Sequence, residues 1–413
     1  MIKVFQRRLN TLSICIIIIL LNVILFGCTD NNKKTVSSDK NLLWDLDQLY
    51  KPPKMKWFKH EGPIYSLVYQ GLPYKGKDTE VFAYYATPGT LSGVPDSDKN
   101  LPGIVLINGS SGHAEEGWVK LWAGAGYAAL SIDLLGCGPN TAPLPTGGPQ
   151  VSYQSLGGPD TDYLDFDWNY HAVAKVILAH SLLMDFKEVD PNRTAMEGNS
   201  LGGQIACVVA SLDNRFKAAV SVYGCGYLYE NGLFADKLAK MQEAQRNKWI
   251  QSFDPSNYLS SITIPMLFVT GATDWCYPLD IYVKSYRLVK GSRNICMFPF
   301  LFHGGSGYLV KEMPMFIGHY CRNSAPLPTL SHPEIINGQV LVKDKSYTRL
   351  SNALLHYTTD KGPYPTRKWY SREITTIVGS TIYSEKPPVN TSAWFITVTD
   401  EHNANVSSEV IFE

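Results

Sequence analysis

The sequence has no surplus of either charge: 37 Lys and Arg stand against 37 Asp and Glu. A chain so balanced carries no electrostatic footprint for nucleic acid. Zinc-site and disulfide-framework spacings are also missing. Cys137, Cys207, Cys225, Cys276, Cys296 and Cys321 are scattered, several inside apolar runs, and read as buried free thiols. Phosphate-cradling loops and dinucleotide fingerprints are lacking too, since "GCGPN" at 136–140 has no further glycine at the required spacing. Nothing in this inventory calls for a metal or a cofactor. The N-terminal apolar run "TLSICIIIILLNVILF" falls short of the ~20 residues a spanning helix prefers, and it contains Asn22.

What is present at the N-terminus fits export. Lys3, Arg7 and Arg8 precede the apolar run, as in a signal peptide. The run ends in Leu25-Phe26-Gly27-Cys28, which resembles a bacterial lipobox, where the signal is cut before a cysteine that is then acylated. Residues 1–27 are therefore expected to be a lipoprotein signal peptide, with Cys28 the lipidated residue. An uncleaved anchor helix is the alternative. The polar stretch "TDNNKKTVSSDK" lacks an apolar period and makes 28–40 a flexible tether. Thr29, in place of an Asp after the cysteine, favours the outer membrane.

Beyond the tether, short apolar strands alternate with helical segments from about residue 60 to 323. That rhythm predicts an α/β fold, a mostly parallel central sheet with helices on both faces, over 41–323. A helix is expected at 168–186, where apolar residues recur without internal Pro or Gly. Two insertions, 136–167 and 226–256, follow strands and can overhang the carboxyl edge of the sheet, where open α/β folds place ligands. After the Pro-rich "NSAPLPTLSHP" long helices cease. Trp394, Ile396 and Val398 alternate with Phe395, Thr397 and Thr399, and "DEHNAN" can return the chain as a hairpin. Residues 325–413 are expected to form a small all-β sandwich.

Chemistry enters at "TAMEGNSLGGQIACVVA", residues 194–210. Gly198-Asn199-Ser200-Leu201-Gly202 sits where a strand runs into an apolar helix, the setting in which flanking glycines clear space for an exposed serine. Composition alone produces Gly-x-Ser-x-Gly in roughly one of seven chains this long, so partners must decide. A serine needs a base, and the base needs a carboxylate to orient it. Asp274 lies just beyond the apolar strand "MLFVTG", and His303 lies on a glycine-rich loop beyond "NICMFPF", in the order serine, acid, histidine. Asp254 and Asp280 are rival acids, and His113 and His319 rival bases. The oxyanion donors are expected to be the backbone N–H of Leu201 and that of Gly109 or Ser110, in the turn after "GIVLI". Trp168, Trp275 and Tyr277 are candidate sugar-contacting aromatics, with core packing the alternative for each.

Several segments together carry a family resemblance: "VLINGSSGHAEEGWVKLWAGAGYAALSIDLLGCG", "VDPNRTAMEGNSLGGQIACVVASLDNRFKAAVSVYGCG" and "SFDPSNYLSSITIPMLFVTGATDWCYPLD". Over roughly 60–323 the chain resembles α/β-hydrolases of the acetyl xylan esterase and dienelactone-hydrolase-like group. The resemblance implies Ser200, Asp274 and His303 as the triad and an acylated carbohydrate as substrate. Two positions depart from the family pattern. Asn108-Gly109-Ser110 stands where His-Gly-Gly is common, and Leu201 stands where an aromatic often follows the nucleophile. The expected function is an exported serine esterase removing small acyl groups, acetyl foremost, from a polysaccharide or oligosaccharide. The alternatives are a catalytically inactive glycan-binding lipoprotein and a serine peptidase of the prolyl-oligopeptidase type. Between tether and sheet there is no room for the propeller of the latter.

Overall fold

Continuous apolar runs flanked by helices form a parallel sheet because both faces are then covered, and the central strands here are buried along their whole length. The computed structural model describes residues 43–109, 112–150 and 164–413. Cys28, the tether and Ser110 lie outside them. Strands β1 (Met55–Lys59), β2 (Tyr65–Gln70) and β3 (Glu80–Ala86) form an antiparallel flank that the alternation along the sequence did not reveal. The remaining strands are β4 (Leu101–Ile107), β5 (Ala128–Ile132), β6 (Val189–Asn199), β7 (Ala218–Val222), β8 (Met266–Gly271) and β9 (Arg293–Phe298). They complete a nine-stranded sheet in the order β1-β2-β3-β5-β4-β6-β7-β8-β9, parallel from β5 to β9.

The helices are α1 (Leu46–Leu49), α2 (Pro88–Ser92), α3 (Glu116–Gly124), α4 (Trp168–Asp185), α5 (Leu201–Leu212), α6 (Ala235–Ala239), α7 (Glu243–Phe253), α8 (Leu279–Leu288) and α9 (Glu312–Arg322). Helix α4 is buried almost all round, which its sequence permits because nearly every face is apolar. The N-terminal segment covers it: Trp44 stacks on Tyr170, and the Ser181 hydroxyl donates to Leu49 O at 2.8 Å. The insertion at 226–256 holds two short helices, α6 and α7. All six cysteines beyond residue 28 are buried and unpaired. Among the described residues no helix is long and apolar enough to cross a membrane.

The direction of chain crossover reverses between β4 and β6, which are neighbours flanked by β5 and β7. Open α/β sheets bind ligands at such a switch point, outside the carboxyl ends of the strands. Here Asn108 and Gly109 follow β4 while Ser200 follows β6.

The C-terminal region packs two antiparallel sheets. One has the order β10 (Glu334–Ile336), β11 (Gln339–Lys343), β15 (Thr381–Glu385), β14 (Thr376–Val378). The other has β13 (Tyr370–Glu373), β12 (Leu350–Thr358), β16 (Ala393–Asp400) and β17 (Asn405–Ser407), with β18 (Ile411–Phe412) also on β16. Trp394, Ile396 and Val398 point into the core between the sheets, as the period of two requires. Phe395 points the other way and joins the core around the nine-stranded sheet with Val406 and Val410. One strand thus serves two cores. Residues 43–413 form one compact unit.

Candidate active site

Ser200 ends β6 and starts α5 with φ 55° and ψ −115°, a conformation that L-residues avoid and that functional sites store at roughly 1–3 kcal/mol. Backbone bonds hold it there: Ser200 N–H donates to Val222 O at 2.8 Å, and Ser200 O accepts from Gln204 N–H at 3.0 Å. The flanking glycines are steric necessities. A Cβ on Gly202 would lie 2.0 Å from Ile107 O, and one on Gly198 would lie 2.2 Å from Gly202 O. With those side chains absent, helix α5 starts close against β4 and the serine hydroxyl faces the cleft.

The structure brings the three expected residues together. Ser200 Oγ lies 2.9 Å from His303 Nε2, and His303 Nδ1 lies 2.9 Å from Asp274 Oδ2. A carboxylate can only accept, so Nδ1 carries the proton and Nε2 is left to accept from the serine. Asp274 is fully buried, and its other oxygen accepts from the N–H groups of Cys276 (2.7 Å) and Tyr277 (3.0 Å). Those bonds fix the carboxylate in a turn after β8. The His303 ring sits among three aromatics, with centroids 4.6 Å from Tyr223, 5.7 Å from Trp275 and 5.8 Å from Tyr277. The Tyr223 hydroxyl also donates to Phe302 O at 2.8 Å, tying the histidine loop to the end of β7.

The rivals are occupied elsewhere. Asp254 accepts from the N–H groups of Tyr227, Leu228 and Ser256, and Asp280 accepts from Asn231. His113 bonds Asp133 at 3.1 Å, and His319 bonds Ser324 O at 2.8 Å. His113, Asp133 and Cys137 bring their polar atoms within 4.8 Å of one another, a grouping able to hold a metal. Asp133 is already engaged, however, by His113 and by the N–H groups of Leu135 and Cys137, and the buried Lys175 ammonium acts on it as well. The cluster fits a pin for the loop after β5.

Leu201 N–H begins α5 and so has no intrahelical acceptor. Gly109 sits close against Ser200, a Cβ there lying 3.1 Å from Ser200 Cβ. Its N–H, expected to face an oxyanion, donates instead to Asn108 Oδ1 at 2.7 Å. A short amide side chain competes readily for neighbouring backbone donors. Charge building up beside Gly109 has to displace that Asn108 oxygen.

Trp168 and Tyr277 do not reach a ligand. Both are buried, the Trp168 indole donating to Leu134 O at 2.9 Å and the Tyr277 hydroxyl facing Gln204 Oε1 at 3.4 Å. Aromatic N–H and O–H groups find such partners when they serve as core. Trp275 remains half-exposed beside His303. Beside Ser200 opens a cleft of about 510 Å³ lined by Asn108, Gly109, Glu115, Trp118, Leu121, Asn199, His303, Tyr308 and Leu309 among others. Sequence reasoning missed Trp118, Leu121, Tyr308, Leu309 and Tyr223. The first two stand three apart on α3, a spacing that puts them on one face and could have been read. The other three carry no local signal.

The chain is similar to known proteins in sequence and in fold. Residues 51–231 match the family Acetyl xylan esterase (AXE1), and residues 204–361 match the family PhoPQ-activated pathogenicity-related protein. The fold resembles an acetyl xylan esterase from Paenibacillus sp. R4, with a TM-score of 0.55 and 24% identity, covering 67% of this chain and 92% of that one. It also resembles acetyl xylan esterase 1 from Thermoanaerobacterium sp. JW/SL YS485, with a TM-score of 0.53 and 19% identity, covering 67% and 94%. A strained serine within bonding reach of a buried His–Asp pair thus stands on an α/β-hydrolase fold, in a chain whose residues 51–231 match the acetyl xylan esterase family.

Proposed function

We propose that the protein removes small acyl groups, acetyl foremost, from an acylated polysaccharide or oligosaccharide through an acyl-enzyme on Ser200. The observation that carries the reading is the unbroken chain from Ser200 Oγ to His303 to Asp274, at 2.9 Å in each step. Ser200 Oγ attacks the ester carbonyl while His303 Nε2 takes its proton, and Asp274 steadies the imidazolium. The oxyanion is met by Leu201 N–H and, once Asn108 turns away, by Gly109 N–H. His303 then gives the proton to the departing sugar oxygen. A water, deprotonated by the same histidine, releases the acid and restores Ser200. The match to the acetyl xylan esterase family supports a carbohydrate ester as substrate.

We propose further that the chain is an exported lipoprotein held by acylated Cys28, most consistent with the outer membrane, because a charged start, an apolar run and Leu-Phe-Gly-Cys precede a polar tether. The experiment is hydrolysis of p-nitrophenyl acetate and acetylated xylan by the full chain in detergent, beside Ser200→Ala. Turnover by the wild type with a loss of at least a thousandfold in the variant is expected. Equal rates in the two proteins refute the acyl-enzyme. Incorporation of labelled palmitate that disappears in Cys28→Ala tests the anchor in the same cells.

A further inference from the structure

The cleft beside Ser200 has more room and less polarity than an acetyl group needs. A water takes about 30 Å³ of liquid, so a cleft of about 510 Å³ holds on the order of seventeen, whereas an acetyl group brings only three heavy atoms. Its walls are largely carbon. Trp118 and Leu121 project from one face of α3, and Tyr308 and Leu309 come from the turn after His303. The Trp118 and Tyr308 rings lie 6.3 Å apart at 47°. Leu121 is 49% exposed, Leu309 64% and Tyr308 42%, and all three converge on one opening at the nucleophile. Scattered exposed apolar residues need no explanation, but a convergent group at a reactive atom marks a binding surface. The polar lining is mostly spoken for: Asn108 Nδ2 donates to His113 O at 2.8 Å and to Glu115 Oε1 at 3.2 Å. Asn199 Nδ2 is itself buried, with no partner among the described residues.

We infer that this cleft binds an apolar body attached to the scissile ester, of the size of an aromatic ring or a chain of about six carbons. The preferred substrates are then larger than simple acetate esters of small alcohols, and a body on the acyl side would displace acetyl as the favoured acyl group of the proposed function. The inference rests on the reading of Ser200 as nucleophile and adds to it what the nucleophile is shown. The apolar body can enter on the acyl side or on the alcohol side, and two series of esters separate these.

The full chain is assayed on p-nitrophenyl acetate, butanoate, hexanoate and benzoate, then on phenyl and 2-naphthyl acetate, whose leaving groups are similar. An acyl-side cleft raises kcat/KM by about fourfold per buried methylene toward hexanoate. An alcohol-side cleft raises it several-fold from phenyl to 2-naphthyl. Either rise supports the inference, and Leu121→Ser with Leu309→Ser, both surface changes, must then lower the corresponding ratio at least threefold. Acetate fastest in the first series, together with no gain in the second, overturns it and leaves the esterase intact. A ratio unmoved by the leucine variants also overturns it. Turnover that survives Ser200→Ala overturns the nucleophile, and this inference with it.

Discussion

Glu197 is fully buried on β6, three residues before Ser200, and its bonding is incomplete. Trp122 Nε1 donates to Oε2 at 2.9 Å, while Oε1 has no partner among the described residues. Burial pushes the carboxyl up from an ordinary 4.5 to about 8, the indole bond only partly opposing it. The native state therefore keeps a proton that the unfolded chain gives up above pH 4.5. Stability falls by about 1.4 kcal/mol for each pH unit across the window between those two values. At pH 7 the accumulated loss is about 3 kcal/mol, a large share of the 5–15 kcal/mol typical of a folded domain. Glu197→Gln keeps an acceptor for the Trp122 indole and has nothing to titrate. Urea unfolding followed by tryptophan fluorescence at pH 5, 6 and 7 compares the two proteins. All other groups cancel in the difference, so the variant gains about 3 kcal/mol on the wild type between pH 5 and pH 7. At pH 5 it is no more stable than wild type, because its amide N–H groups enter a site without acceptors. Parallel curves across that range refute a protonated Glu197.

Two further outcomes follow from the geometry around Ser200. Gly202→Ala sets a methyl 2.0 Å from Ile107 O and 2.6 Å from Asn108 O, backbone atoms that no rotamer change can move. It is expected to lower the unfolding free energy by about 3 kcal/mol and ester turnover by at least tenfold, and wild-type behaviour in both assays refutes the close α5–β4 approach. Tyr223→Phe removes the bond from the hydroxyl to Phe302 O while keeping the ring against His303. A net hydrogen bond contributes about 1 kcal/mol, so kcat on p-nitrophenyl acetate is expected to fall about fivefold with KM unchanged. An unchanged kcat shows that the ring alone positions the histidine.

The parts of the site that were legible in the sequence are those fixed by local chemistry. Gly198, Ser200 and Gly202 announce a turn that only small neighbours permit, and Asp274 and His303 each follow an apolar strand at once. The choice of Asp274 over Asp254 and Asp280 also rested on that adjacency, and the structure shows the two rivals bonded elsewhere. What failed to show was set by distant partners. Residues 55–70 pair only with each other and with β3, and their period is broken where the register slips between Trp57 and Lys59. For Trp168 and Tyr277 the sequence left sugar contact and core packing both open, and three-dimensional packing decides for the core. The occupation of Gly109 N–H depends on one side-chain torsion of Asn108, which no spacing encodes.

Strand β9, which leads to the His303 loop, is the last strand of its sheet, and such an edge invites pairing with other chains. Here the far C-terminus covers it. The Ser407 hydroxyl accepts from Met297 N–H at 3.1 Å and lies 3.2 Å from Met297 O, while Glu409 pairs with Arg293 and Arg287. Chains fold roughly in the order in which they are made. The serine elbow can thus be complete some two hundred residues before the guard of the histidine strand has been synthesised. A chain stopped short of Ser407 would bear every residue of the triad and still present an open, adhesive sheet edge. Protection from aggregation thus arrives after the residues that carry the chemistry, with the segment around Ser407 and Glu409.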